Sequence, residues 1–164
     1  MRWLITLLAV LGIIAASLAL REHYRTEASP CAINAKWDCG TVNKSPFASL
    51  GGILDQLANH NAALEPDTNR SMPWLRNIPV AVVGIAGYLL LGVLAFMQRW
   101  RLLSAMAVVA MLFSLYLAHI EKDVLEVWCI YCVISLGIIT FITLFSAIAA
   151  VIDLKKANNA ASPA

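Results

Sequence analysis

Four long apolar blocks alternate with polar segments along the chain. They cover residues 3–20, 78–97, 102–119 and 128–152, and none of them contains Asp, Glu, Lys or Arg. Because the hydrocarbon core of a bilayer is about 30 Å thick, a helix that crosses it needs about 20 mostly apolar residues. The pattern therefore predicts an all-α integral membrane protein in which four transmembrane helices form a bundle.

The first block also has features of a cleaved signal peptide, since Arg2 precedes it and small residues lie near its end. Its 18 uncharged residues exceed the usual apolar region of about 7 to 15 residues in such peptides. Its removal would also leave only three spans. We therefore interpret residues 3–20 as the first transmembrane helix.

The long polar segment between the first two blocks, residues 21–77, contains more than a simple linker. Within it, residues 46–57 alternate small, apolar and polar side chains, a pattern typical of a short amphipathic helix at a membrane interface. A surface loop with one buried edge is the alternative. Residues 120–127 form a short acidic link, in which we expect Glu121, Lys122, Asp123 and Glu126 to be solvated.

Composition agrees with a membrane protein of one domain, residues 1–164. The chain is 60% hydrophobic and 13% charged, whereas soluble domains are about 45–50% apolar and about 25% charged. The net charge is only +2, and no run of Lys and Arg suggests a nucleic acid as partner. The lipid bilayer is the partner that composition predicts.

The positions of the charges predict an orientation. With the N-terminus in the cytoplasm, the cytoplasmic segments contain five basic residues and one acid, and the other side contains seven basic and nine acidic residues. The positive-inside rule favours this arrangement. It places both termini in the cytoplasm and the four cysteines at the opposite face, as in a bacterial inner membrane with its cysteines on the periplasmic side.

Cys129 and Cys132 form a CxxC motif where the last block begins. Residues i and i+3 of a helix share one face, so the two sulfurs can form a readily reversed disulfide. Free N–H groups and the helix dipole at this end favour a thiolate, which is the species that attacks disulfides. The motif therefore predicts redox chemistry, although two inert buried cysteines would have the same spacing.

Cys31 and Cys39 form a second pair in the long loop. They are either a static disulfide that stabilises the loop or a carrier that passes electrons to the CxxC motif. A four-cysteine zinc site is a further alternative, but such sites usually combine two closely spaced pairs, and only one pair is that close here. His23, His60 and His119 show no metal-ligand spacing either, so we expect no metal.

Three motifs together resemble the vitamin K epoxide reductase family, in particular its single-domain prokaryotic members that support disulfide formation. The first is the Cys31/Cys39 pair with seven residues between its members, and the second is Ser45, six residues after Cys39. The third is the sequence YLAHIE at residues 116–121, followed by WCIYCVIS at residues 128–135. The similarity extends over all four apolar blocks.

The resemblance implies a four-helix bundle around a quinone, with a half-helix from the first loop closing the site. Cys31 would react with a separate, DsbA-like thioredoxin-fold dithiol protein, Cys39 would exchange with Cys129, and Cys132 would face the membrane quinone, either ubiquinone or menaquinone. Ser45 would lie at the quinone site as a hydrogen-bond donor, unless it only caps the half-helix. Phe47 would line the quinone pocket, unless it only packs within the bundle.

Departures from the family pattern limit what the resemblance implies. Animal members have a tyrosine four residues after the last cysteine of the motif, where this chain has Leu136, so reduction of vitamin K epoxide is not expected. The asparagine that holds the naphthoquinone in those enzymes has no secure match, and Asn77 is the nearest in the chain. The chain ends soon after the last span, so we expect the dithiol partner to be a separate protein.

Three functional hypotheses therefore follow from the sequence. The first is a quinone-dependent thiol oxidoreductase that reoxidises a thioredoxin-fold protein and supports disulfide formation. The second is a vitamin K or quinone (epoxide) reductase whose main product is reduced quinone. The third is a non-catalytic membrane scaffold with structural disulfides.

Overall fold

The computed structural model describes residues 1–27, 29–34, 36–58 and 77–161. In these ranges the regular secondary structure is helical and no strand forms, so the all-α prediction is confirmed. Asn77 lies at the start of one described range, whereas His60 lies outside all of them. The helices, in chain order, are α1 (Arg2–Tyr24), α2 (Cys39–Lys44), α3 (Leu50–Ala58), α4 (Val80–Phe96), α5 (Trp100–Asp123) and α6 (Ile130–Ala161), with a 3-10 helix at Pro46–Ala48.

Within the described residues, three helices are long and apolar enough to cross a membrane. They are α1, α5 and α6, and they correspond to the first, third and fourth predicted spans. The second predicted span corresponds to α4, which has 17 residues and extends over about 26 Å at 1.5 Å per residue. The structure thus supports a membrane protein with three clear span candidates and one shorter apolar helix.

The helix ends differ from the apolar blocks because hydropathy marks the part of a helix that suits lipid, and not where hydrogen bonding stops. α1 continues to Tyr24, and α5 continues to Asp123. α6 begins at Ile130, two residues later than the apolar block, because the backbone of Trp128 pairs with the loop before α2. Cys129 therefore precedes the first helical residue.

The four apolar helices α1, α4, α5 and α6 share one hydrophobic core. α1 packs against α4 and α6, and α5 packs against α6 and α4. Small residues allow the close approach of α1 and α4, since Gly92 faces Ala9 and Gly84 faces Ala16, as is common between membrane helices. Large apolar side chains on the outer faces remain exposed, among them Leu7, Val10, Leu89, Leu112, Phe141 and Leu144.

The amphipathic segment predicted at residues 46–57 is helical, but it has two parts. The 3-10 helix ends at Ala48, and α3 begins at Leu50. Gly52 permits this corner, because a Cβ there would lie 2.8 Å from the carbonyl carbon of Pro46. The Leu50 N–H donates to the Ile78 carbonyl at 3.0 Å. The segment is thereby attached to the start of α4.

Candidate active site

Cys31 and Cys39 are joined by a disulfide, with their Cα atoms 5.8 Å apart. Cys39 is the first residue of α2, and Asp38 caps that helix by accepting a hydrogen bond from the Gly40 N–H at 2.8 Å. The Thr41 hydroxyl donates to the same carboxylate at 2.7 Å and is the largest cause of the lowered pKa of Asp38. The Asp38 cap thus fixes the helix end that carries Cys39.

Cys129 and Cys132 are free thiols at the start of α6. The Cys129 carbonyl accepts the Val133 N–H at 3.1 Å, so Cys129 occupies the position just before the helix, and Cys132 lies in its first turn. This end of the helix therefore favours a thiolate at Cys129.

Backbone pairing holds the two cysteine pairs together. The Trp128 N–H donates to the Lys36 carbonyl at 2.8 Å, and the Asp38 N–H donates to the Trp128 carbonyl at 3.1 Å. The residues next in the chain after Asp38 and Trp128 are Cys39 and Cys129. As a result, the four cysteines belong to one buried cluster, in which Cys39 and Cys129 have no exposed surface.

Asn43 links the two pairs directly. Its side-chain amide donates to the Cys39 carbonyl at 2.8 Å and to the Cys129 sulfur at 3.4 Å. The Asn43 carbonyl in turn contacts Nδ1 of His23. Sequence analysis did not single out Asn43, because an asparagine in a short helix has no distinctive spacing.

A cavity of about 350 Å³ lies beside this cluster, between the apolar helices and the α2–α3 region. Its lining is mainly apolar and includes Cys132, whereas Cys31, Cys39 and Cys129 do not line it. Small-molecule sites typically have volumes of about 300–1,000 Å³ and combine an apolar wall with a few polar groups. Of the four cysteines, Cys132 is therefore the one that lines this cavity, whose volume and apolar wall suit an organic molecule.

Ser45 and Phe47 both line the cavity, as does Leu136. The Ser45 hydroxyl donates to the Val42 carbonyl at 2.8 Å and does not cap the 3-10 helix. A hydroxyl has a single proton to donate, so the predicted donor role toward a quinone requires the Ser45 side chain to rotate. Its oxygen keeps lone pairs that can accept a hydrogen bond.

Three further polar side chains line the cavity, and they come from α1, α4 and α5: His23, Tyr88 and Glu121. The Tyr88 hydroxyl donates to the Ser135 carbonyl at 2.9 Å. Glu121 is only 4% exposed, so the prediction of a fully solvated acidic link is wrong for this residue. The reason is that α5 continues to Asp123 and turns Glu121 inward, while Lys122, Asp123 and Glu126 are exposed.

Within the described ranges, no group of three or more His, Cys, Asp and Glu side chains is arranged to hold a metal ion. The polar groups at the cavity are instead thiols, a carboxyl group, hydroxyls and an imidazole. Thiols can exchange electrons, and the other groups can exchange protons, with an organic molecule.

Comparison with known proteins agrees with this interpretation. Residues 3–148 match the model of the Vitamin K epoxide reductase family. No curated protein matches the chain. The matched region includes all four cysteines and every apolar helix as far as the middle of α6. The chain therefore belongs to the vitamin K epoxide reductase family, whose members are membrane-bound oxidoreductases.

Proposed function

We propose that this protein is a quinone-dependent thiol oxidoreductase that supports disulfide formation. A separate thioredoxin-fold dithiol protein would supply electrons to the Cys31/Cys39 pair, and a membrane quinone would accept them from the Cys129/Cys132 pair. The observation that supports this most strongly is the arrangement of the cysteines. All four lie in one cluster, and Cys132 lines the apolar cavity.

Electron transfer along this route consists of four thiol–disulfide exchanges. A partner thiolate attacks Cys31, which breaks the Cys31–Cys39 bond and leaves Cys39 as a thiolate. Cys39 then attacks Cys129 of an oxidised CxxC pair, and Cys132 leaves as a thiolate. The second thiol of the partner then releases Cys31, which attacks Cys39 in the Cys39–Cys129 disulfide; the loop disulfide forms again, and Cys129 leaves as a thiolate. The structure, with a closed loop disulfide and two free thiols at α6, corresponds to the state after this transfer.

The cavity residues suit a quinone. A quinone supplies the chemistry of accepting two electrons and two protons. Apolar side chains such as Phe47 and Leu136 would contact its ring and tail, and Ser45, His23 and Tyr88 lie on the same wall as hydrogen-bonding groups. Leu136 has no hydroxyl to offer where animal members have a tyrosine, so the cavity favours quinone reduction over epoxide reduction.

The topology that we propose has four spans, with α4 as the second, within a single membrane domain. α4 shares the hydrophobic core with the three longer helices. With four spans, the charge distribution favours a protein of the bacterial inner membrane whose two termini lie in the cytoplasm. Single cysteines introduced at exposed positions 33 and 155 test this topology in a background without native thiols. A membrane-impermeant maleimide added outside should label residue 33 and spare residue 155, and the reverse pattern would contradict it.

The function is tested with purified protein, a reduced thioredoxin-fold substrate and a soluble quinone whose absorbance is followed. Cys31→Ala and Cys39→Ala should abolish turnover with the protein substrate but retain it with a small dithiol that reduces the CxxC pair directly. Cys129→Ala and Cys132→Ala should abolish turnover with both. Ser17→Ala, at an exposed position of α1, is the control. Wild-type rates in all four cysteine variants would show that the cysteines are structural.

A further inference from the structure

Glu121 is a buried acid for which the relay itself provides no role. One of its carboxylate oxygens accepts the Cys129 N–H at 3.1 Å, and the same carboxyl group lies near the Cys132 thiol. Glu121 also lines the cavity. A single carboxyl group therefore contacts the CxxC motif and faces the space beside Cys132.

Burial of this carboxylate needs an explanation, because an acid removed from water is costly to keep charged unless a cation balances it. Among the described residues, the ion pairs involve other acids, namely Glu22, Glu27, Asp123 and Asp153. A backbone N–H could be capped by a neutral side chain at lower cost. A neutral amide or hydroxyl cannot exchange a proton at neutral pH, whereas a carboxyl group can.

Building on the proposed function, we propose that Glu121 is the proton carrier of the site. Its carboxylate takes the proton of the Cys132 thiol and delivers it to an oxygen of the quinone bound beside it. When Cys129 and Cys132 form their disulfide, the two thiols lose two electrons and two protons. The same two electrons and two protons convert the quinone to the quinol, so the overall reaction balances.

Other titratable groups face this carboxyl group or share its cavity. His23 from α1, Tyr88 from α4, and Tyr131 and Cys132 from α6 line the same cavity. The backbone N–H of Cys129 contacts the carboxyl group itself. His23 is the alternative proton carrier among them. The pH dependence of turnover must therefore be compared between variants of Glu121 and His23.

The first test is turnover of a small dithiol and a soluble quinone by Glu121→Gln. Gln keeps a carbonyl oxygen to accept the Cys129 N–H but cannot carry a proton. General acid–base catalysis contributes about 100-fold or more, so kcat should fall by about that factor while KM for the quinone changes little. Glu126→Gln removes the same charge from an exposed position of the link and should behave as wild type. A wild-type kcat in Glu121→Gln beside a loss of kcat in His23→Gln would assign the proton transfer to His23 and overturn the proposal.

The second test needs no quinone. In a Cys129→Ala background Cys132 is the one free thiol, and its rate of alkylation by iodoacetamide is measured against pH. Where Glu121 is ionised, transfer of the Cys132 proton to it leaves the total charge unchanged, so the rate should be nearly level with pH. In Glu121→Gln the proton must go to water, and the rate should rise in proportion to hydroxide concentration.

The outcomes separate the possible roles of Glu121. Unchanged kcat and an unchanged alkylation profile in Glu121→Gln would show that it only caps the Cys129 N–H, and faster alkylation at all pH values would show that it acts only as a repelling charge. Either result would overturn the proposal.

If Glu121→Gln does not fold, Glu121→Ala is measured with and without formate. Formate should restore part of kcat, and a folded Glu121→Ala variant that formate does not rescue contradicts the proposal. Loss of the proposed function itself would appear separately, as quinone reduction that survives Cys132→Ala.

Discussion

Replacement of Gly12 by alanine should destabilise the bundle where α1 crosses α4. A Cβ at Gly12 would lie 2.5 Å from Cδ1 and 2.6 Å from Cζ of Tyr88, well inside van der Waals contact. The ring is held in place by hydrogen bonds, because its hydroxyl lies 2.9 Å from the carbonyl oxygen and 2.8 Å from the Oγ of Ser135. The added methyl group must therefore separate the helices or break these hydrogen bonds.

The size of the effect follows from three contributions. Overpacking a core costs about 1–3 kcal/mol, and loss of one Tyr88 hydrogen bond adds about 1 kcal/mol. Alanine in place of glycine inside a helix offsets about 1 kcal/mol of this. The free energy of unfolding should therefore fall by about 1–3 kcal/mol, which for a chain of this size lowers Tm by about 2–4 °C per kcal/mol.

The assay is thermal unfolding in detergent micelles, followed as the fraction of protein that still elutes as a monodisperse species after heating. Gly92→Ala is the matched control, because a Cβ there would meet Ala9 at 3.5 Å, an ordinary contact, and Tm should stay level or rise. In a Tyr88→Leu background the cost of Gly12→Ala should shrink, because the flat ring is gone. Equal effects of Gly12→Ala and Gly92→Ala would refute the argument from Tyr88.

Two further predictions concern the cysteine cluster. Asn43→Leu removes the donor to the Cys129 sulfur. Because a hydrogen bond to a charged group is worth about 1.5–3 kcal/mol, the thiolate population of Cys129 at neutral pH should fall about tenfold or more. An ultraviolet titration of the thiolate in a Cys132→Ala background measures this population, and an unchanged titration would contradict the contact. The Thr41 hydrogen bond lowers the pKa of Asp38, so its cap stabilises α2 above the unfolded-state pKa of Asp38 and is lost as the pH falls through the lower folded-state value. The protection factors of the α2 amides, each taken relative to the intrinsic exchange rate at the same pH, should therefore fall in acid for wild type but not for Asp38→Asn. The same acid response in both proteins would show that another group titrates.

Much of this architecture is readable from local sequence patterns. Each apolar block forms a helix because the preference of its side chains for lipid depends on composition alone. The CxxC motif identifies itself by its spacing, and the combination of motifs identifies the family. Phe47 was expected at the pocket and lies there, but the functional roles of all the site residues remain predictions.

Contacts between distant segments were not readable in this way. Asn43 and Cys129 are separated by 86 positions, and no periodicity relates a six-residue helix to the start of α6. The hydrogen bond of Ser45 to Val42 also differs from the cap that its position before Pro46 suggested. The hydrogen-bond partner of a buried polar side chain depends on how the helices pack, because packing determines which donors and acceptors lie within reach.

Glu121 shows most clearly the difference between what the local sequence determines and what tertiary packing determines. The sequence by itself determined the helices, and it supplies the orientation and the reactive cysteines that we propose, since hydropathy, charge and spacing act locally. It placed Glu121 in an acidic stretch that resembles a solvated link. Only the tertiary structure decided that the last turn of α5 directs this acid toward Cys129 and the cavity, because burial is a property of packed helices and not of a segment.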